Sequence, residues 1–140
     1  MNPGLELVMT LRVEIAPALN VGAVGTGYRR VIPITGGTFV GPALRGDVLP
    51  GGADWNLTRP DGAAEVWARY TLRTDDGVLI GVTNAGLVVP QSDGSSYART
   101  APQFEVADER YAWLRRAMFV GTLAPAEGGG AVQLQFFRVT

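Results

Sequence analysis

The sequence predicts an all-β fold: a single antiparallel β-barrel of about nine or ten strands, with one short helix near residues 108–115. Three observations lead there. Leu5, Leu7, Met9, Leu11, Val13 and Ile15 are apolar at every second position, with Glu6, Thr10, Arg12 and Glu14 between them. That is the period of a half-buried strand, and a helix would scatter the same six residues round its circumference. Nineteen glycines and nine prolines punctuate 140 residues into short segments. No helical pattern separates the strands, which removes parallel βαβ units, and a long antiparallel sheet tends to close because closure removes its edges.

The elements follow in order. After the alternating strand, Gly22, Gly25 and Gly27 break the chain before a strand from Tyr28 to Thr35, in which Pro33 marks an edge or bulge. Gly36-Gly37 separates it from a short strand, Thr38 to Val40. Gly41-Pro42 then leads to another from Leu44 to Leu49. Pro50-Gly51-Gly52 is a tight turn delivering Ala53-Asp54-Trp55, and Arg59-Pro60-Asp61-Gly62 suits a type I turn. A long strand, Ala64 to Arg73, is followed by the hairpin signal Asp75-Asp76-Gly77 and a return from Val78 to Asn84. A polar loop leads to Tyr97-Ala98-Arg99-Thr100. Asp108 to Arg115 is the one predicted helix, with Asp108 as its N-cap. Ala117 to Leu123 and Ala131 to Val139 are the last strands. A barrel of about eight or more strands can leave an interior that holds one small ligand.

Composition excludes whole classes of chemistry. All twelve basic residues are arginine, and histidine and cysteine are absent. Without lysine there is no Schiff base. Without histidine and cysteine there is no Ser-His or Cys-His nucleophile, no disulfide and no ordinary zinc, copper or haem site. Thirteen carboxylates, four tyrosines, arginines, hydroxyls and backbone amides remain for chemistry, and neither a metal nor a cofactor is expected. A formal net charge of −1 gives no pull toward nucleic acid or anionic lipid. The N-terminal residues lack the pattern of a signal peptide, and no run approaches the ~20 apolar residues of a membrane span. The expectation is a soluble, cytoplasmic protein, with the sequon Asn56-Leu57-Thr58 unglycosylated.

Several groups of residues carry two readings. Gly22-Ala23-Val24-Gly25-Thr26-Gly27 reverses the spacing of a dinucleotide loop and has no following helix, so it reads as a turn. Asp54 beside Trp55 is either a partly desolvated acid or base, or a turn cap with an indole plugging a barrel end. On Ala64 to Arg73, one face carries Ala64, Val66, Ala68, Tyr70 and Leu72; the other carries Glu65, Trp67, Arg69, Thr71 and Arg73. Binary patterning turns the first face inward, whereas a polar ligand would call for the second, with Arg69 clamping a carboxylate or enolate. Tyr97 and Arg99 share one side of a strand. Tyr111 and Trp113 share a side if extended and diverge if helical. Arg29-Arg30 and Arg115-Arg116 read as surface charge, and Asp75-Asp76 as turn residues.

The blocks Gly36-Gly37-Thr38-Phe39, Gly41 to Gly46, Val48 to Trp55, Arg69 to Gly77 and Tyr111-Ala112-Trp113-Leu114 together resemble the family called domain of unknown function 3237, over about Leu5 to Val139. The resemblance implies a compact, calycin-like antiparallel barrel. It also implies kinship with proteins in polyketide biosynthesis that are implicated in ring closure. It places the family's polar signature on Asp54, Trp55, Arg69, Tyr70, Arg99, Thr100, Tyr111 and Trp113. Two departures matter: Trp67 stands where many relatives have aspartate, and Ala98 where many have phenylalanine.

The expectation is therefore a cofactor-independent enzyme that cyclises, dehydrates or isomerises a small, conjugated, oxygen-rich molecule inside the barrel. Asp54 is the expected acid or base, Arg69 and Arg99 hold oxyanions, and Tyr70 and Tyr97 donate protons. Trp55, Trp67, Thr100, Tyr111 and Trp113 contact substrate. The alternatives are a non-catalytic carrier with the same pocket and a structural barrel filled with side chains. The expected partner is a small organic ligand, not nucleic acid or membrane, and a homo-oligomer is compatible with the sequence.

Overall fold

A computed structural model describes residues 1–140. Its ten strands are β1 (Leu5–Ile15), β2 (Leu19–Ala23), β3 (Tyr28–Val40), β4 (Arg45–Val48), β5 (Gly52–Thr58), β6 (Ala64–Thr74), β7 (Leu79–Pro90), β8 (Ser96–Glu105), β9 (Met118–Pro125) and β10 (Ala131–Val139), with a 3₁₀ turn at Glu109–Arg115. Every pairing is antiparallel. The circuit β1-β10-β9-β8-β7-β6-β5-β3 closes when β3 pairs back onto β1. The result is a closed eight-stranded barrel with two extra strands. β2 extends the edge of β3 at Tyr28–Val31, and β4 pairs with Thr38–Val40 of β3 and Leu72–Thr74 of β6. No helix is long and apolar enough to cross a membrane.

The expected break at Gly36-Gly37 is instead a bend within one continuous strand. Gly37 has φ 131°, and a Cβ there would lie 2.0 Å from the Arg12 carbonyl oxygen. The glycine thus lets β3 and β1 approach closely where β3 passes from β2 and β5 to β1 and β4. β7 runs on past Asn84 to Pro90, because Ala85 to Val88 keep register with β6 on one side and with β8 on the other.

The barrel is packed at one end and hollow at the other. At the packed end Met9, Leu11, Phe39, Leu72, Ile80, Val82, Phe119 and Phe136 are buried. Phe104 stands edge-on to Phe119, with centroids 5.0 Å apart, and to Phe136 at 5.8 Å. β8 and β9 pair only at Arg99↔Thr122 and Thr100↔Gly121; where they splay, the 3₁₀ turn packs Leu114 and Tyr111 into the core. Asp108 caps that turn, accepting from the Arg110 backbone N–H at 2.9 Å. Hydrogen bonds from Arg110 hold the Asp108 carboxyl down at about 2. Arg110 and the Tyr111 hydroxyl both donate to Asp76 of the β6–β7 turn, at 2.6 and 3.1 Å, and Thr74 donates to the same carboxylate. These contacts move Tyr111 from an expected substrate contact to a latch on the packed end. Trp113 likewise packs on Phe119, with centroids 6.5 Å apart. Phe136→Ala is expected to cost about 3–5 kcal/mol in urea unfolding, since it removes a fully buried ring that packs on Phe104.

Candidate functional site

The hollow half of the barrel encloses a cavity of about 330 Å³. Its walls are chemically unequal. β1, β9 and β10 contribute Val13, Ile15, Leu123, Ala124, Pro125, Val132 and Leu134, none of them with a polar side chain; Arg30, Asp54, Asn56, Tyr70, Asn84 and Ser96 come from β3 and β5 to β8.

Asp54 anchors the polar wall. Its Oδ1 accepts the Trp67 backbone N–H at 2.9 Å, and its Oδ2 accepts from Asn56 Nδ2 at 3.3 Å. The β5–β6 register is interrupted between Asp54↔Ala68 and Leu57↔Glu65, so the carboxylate itself takes up the amide of Trp67 in that gap. Asn56 Oδ1 in turn accepts from Arg30 Nη2 at 3.3 Å. The amide thus points its oxygen at a cation and its nitrogen at an anion, and each neighbour fixes its orientation. Burial raises the Asp54 carboxyl from its ordinary value, outweighing the Trp67 amide, Asn56 and the positive charges of Arg30 and Arg29, which all lower it.

Inward of Asp54, the pairings Ile32↔Asp54, Asp54↔Ala68 and Ala68↔Asn84 form one row across four strands. Tyr70 lies two residues beyond Ala68 on the same face, and burial alone pushes its phenol far above the usual value. Gly52 makes room for it, since a Cβ there would come within 2.6 Å of the Tyr70 Cβ. The Tyr70 hydroxyl and Asn84 Oδ1 are buried and have no hydrogen-bond partner. Thr100 Oγ1 shares that condition, but Thr100 does not line the cavity and packs against the Gly86 and Gly121 positions.

Alternation along the strands decides where the other expected residues lie. Val66, Ala68, Tyr70 and Leu72 are buried on the inner face of β6, so Trp67 and Arg69 point outward. Arg69 donates to Thr83 at 2.9 Å and to Glu105 at 3.1 Å on the outer surface. Arg99 donates to the Ala98 carbonyl at 2.8 Å and lies over the exposed Tyr97 ring at 5.6 Å. Trp55 and Trp67 are 40% and 44% exposed and meet edge-on outside the barrel, with centroids 5.8 Å apart. None of these five lines the cavity, which corrects the expectation that Arg69 and Arg99 hold oxyanions, Tyr97 donates a proton, and Trp55 and Trp67 stack on substrate there. A guanidinium facing inward beside Asp54 comes instead from Arg30, one of the arginines read as surface charge.

Arg30, Asn56, Asn84 and Ser96 are the polar wall residues that sequence reasoning missed. The first three carried a signal: Arg30 alternates with Ile32 and Ile34, Asn56 with Asp54, and Asn84 with Ile80 and Val82. No three carboxylates gather in a way that could hold a metal ion. A wider, more open groove of about 860 Å³ runs along Ala101 to Ala107 and Ala117 to Phe119, with Gln103, Glu105 and Arg115 as its polar and charged side chains.

Residues 3–139 match a family model described as "Protein of unknown function (DUF3237)". A UPF0311 protein of Rhodopseudomonas palustris is 37% identical over 139 residues, covering 89% of this chain and 91% of that protein. The crystal structure of a β-barrel-like protein from Acinetobacter baumannii superposes with a TM-score of 0.94 at 32% identity, covering 100% of this chain and 98% of the other. A Penicillium herquei protein named a hydroalkoxylation enzyme is 28% identical over 120 residues, 86% of this chain and 74% of that protein.

Proposed function

We propose a function from one premise, that the chain belongs to the DUF3237 family of proteins of unknown function: the barrel is an enzyme that moves a proton within a small, conjugated, oxygen-bearing molecule and so closes a ring. The observation that carries this reading is the Asp54 carboxyl, held by two amide donors on the wall of a largely apolar cavity, with its proton affinity raised by burial. A carboxyl so placed takes and returns a proton more readily near neutral pH than one in water. The distant relative named for hydroalkoxylation, the addition of an O–H across a carbon–carbon double bond, supports the same class of reaction.

The proposed step needs only the substrate. A hydroxyl proton passes to the Asp54 carboxylate as the oxygen bonds to the far carbon of a conjugated enone. The double-bond electrons move onto the carbonyl oxygen, giving an enolate. Asp54 then returns the proton to the carbon next to the carbonyl. Arg30, linked to Asp54 through Asn56, offsets negative charge whether it sits on the carboxylate or on the enolate. The apolar opposite wall excludes water from the intermediate.

The test uses 2′-hydroxychalcone, whose closure to flavanone is this reaction and creates a stereocentre. The protein is expected to accelerate closure and to give one enantiomer in excess on a chiral column. A racemic product formed at the buffer rate, with the probe nevertheless bound, would favour the carrier reading.

A further inference from the structure

We propose that the inner end of the cavity, between Tyr70 and Asn84, is an anchor for a neutral hydroxyl group, and that the ligand is a flat ring system carrying its polar groups along one edge. The inference deepens the proposed function and rests on the same cavity being the functional site. It begins with the Tyr70 hydroxyl and Asn84 Oδ1, two unpartnered polar atoms of cavity-lining side chains that are 4% and 1% exposed. Buried polar groups are ordinarily paired, so a barrel that leaves two of them unsatisfied on one wall of a hollow is built to satisfy them with something else.

Chemistry narrows what that is. An amide oxygen only accepts, so the incoming group must donate to Asn84. A phenol both donates and accepts, so Tyr70 can complete the same group's bonding from the other side. A hydroxyl meets both demands. A carboxylate or phenolate has no proton to give and would set a negative charge against the Asn84 carbonyl dipole.

Geometry then sets the outline. Asp54 and Asn84 flank Ala68 in one row of adjacent strands. Neighbouring strands lie about 4.8 Å apart, so the two backbones are separated by roughly 9–10 Å. The methyl group of Ala68 leaves the floor between them low. A fused or linked pair of rings spans that distance, with one oxygen at Asn84 and the reacting end at Asp54. The facing wall, Val13, Leu123, Val132 and Leu134 among others, offers that molecule's other edge nothing but hydrocarbon.

The test compares 2-naphthol with 2-methoxynaphthalene, which keeps the rings and the oxygen but lacks the donor, by titration calorimetry. The wild-type protein is expected to bind 2-naphthol at least tenfold more tightly, about the worth of one buried hydrogen bond. Asn84→Leu, close in volume, is expected to abolish that preference without lowering Tm, because it removes an unpaired polar group. Tyr70→Phe, which deletes only the hydroxyl, is expected to weaken the preference and serves if the leucine variant does not fold. No preference in the wild type, or a preference that both variants keep, overturns the anchor. The chalcone assay is separate: an intact naphthol preference without ring closure overturns the catalytic reading alone, and ring closure without the preference overturns the anchor alone.

Discussion

Asp54→Asn is expected to slow 2′-hydroxychalcone closure by at least about 10²-fold, the low end of what a positioned acid or base contributes, while leaving 2-naphthol affinity close to that of the wild type. Asparagine keeps the shape of the side chain and one oxygen to accept the Trp67 amide; it loses the bond from Asn56, whose Nδ2 then faces another NH2, and it exchanges no proton. The pH dependence separates a chemical role from a structural one. Reaction requires the carboxylate, so the wild-type rate should rise as Asp54 loses its proton, with a midpoint raised by burial from the ordinary aspartate value; the asparagine variant should lack that limb. Stability carries the same signature with opposite sign. A carboxyl whose pKa is raised on folding stabilises the folded state below its unfolded pKa, and that contribution is lost as pH rises through the folded pKa. Urea unfolding should therefore show the wild type weakening across that window and Asp54→Asn not. Parallel rate profiles for the two proteins would remove Asp54 from the chemistry.

Much of this architecture was legible because strands advertise their faces. The alternation from Leu5 to Ile15 reads directly as β1, and Asp75-Asp76-Gly77 as the β6–β7 turn. The same rule contains the reason the site was only half legible. Asp54 and Trp55, Arg69 and Tyr70, and Arg99 and Thr100 are neighbours in the chain, so in a strand only one of each pair can face inward. Asp54, Tyr70 and Thr100 do so; the tryptophan and both arginines take the outer surface, where guanidinium groups find Glu105 or a carbonyl oxygen, or stack on Tyr97. The chemical appeal of an arginine or indole thus competed with a parity rule that the barrel obeys. Arg30 was harder to find because Arg29-Arg30 reads as surface charge. Its inward turn follows only once β3 is seen to pair Arg30 with Asn56 beside Asp54. The unpaired state of Tyr70 and Asn84 has no sequence signal, since it depends on what every other strand fails to place opposite them.

Ala68→Phe is expected to weaken 2-naphthol binding by about 100-fold or more while leaving the unfolding midpoint unchanged or higher. In a well-packed core the same enlargement forces neighbours off their rotamers and costs about 1–3 kcal/mol. At Ala68 the added ring enters a hollow of about 330 Å³ and meets the space between Asp54 and Asn84 rather than another side chain. Val82→Phe is the matched control. It sits on the next strand at the packed end, 1% exposed among the core residues, and should show the full overpacking penalty with no gain elsewhere. The pair of variants reads out the half-filled design independently of any reaction. If Ala68→Phe destabilises as much as Val82→Phe, the wall beside Asp54 is already packed and the interior holds no ligand. If Ala68→Phe is stable yet binds 2-naphthol as the wild type does, the naphthol occupies the open groove along β8 and β9, and the orphaned Tyr70 and Asn84 groups do not read its hydroxyl. Loss of binding with stability retained is the one combination that requires a ligand lying across Ala68, with Asp54 at one end and Asn84 at the other.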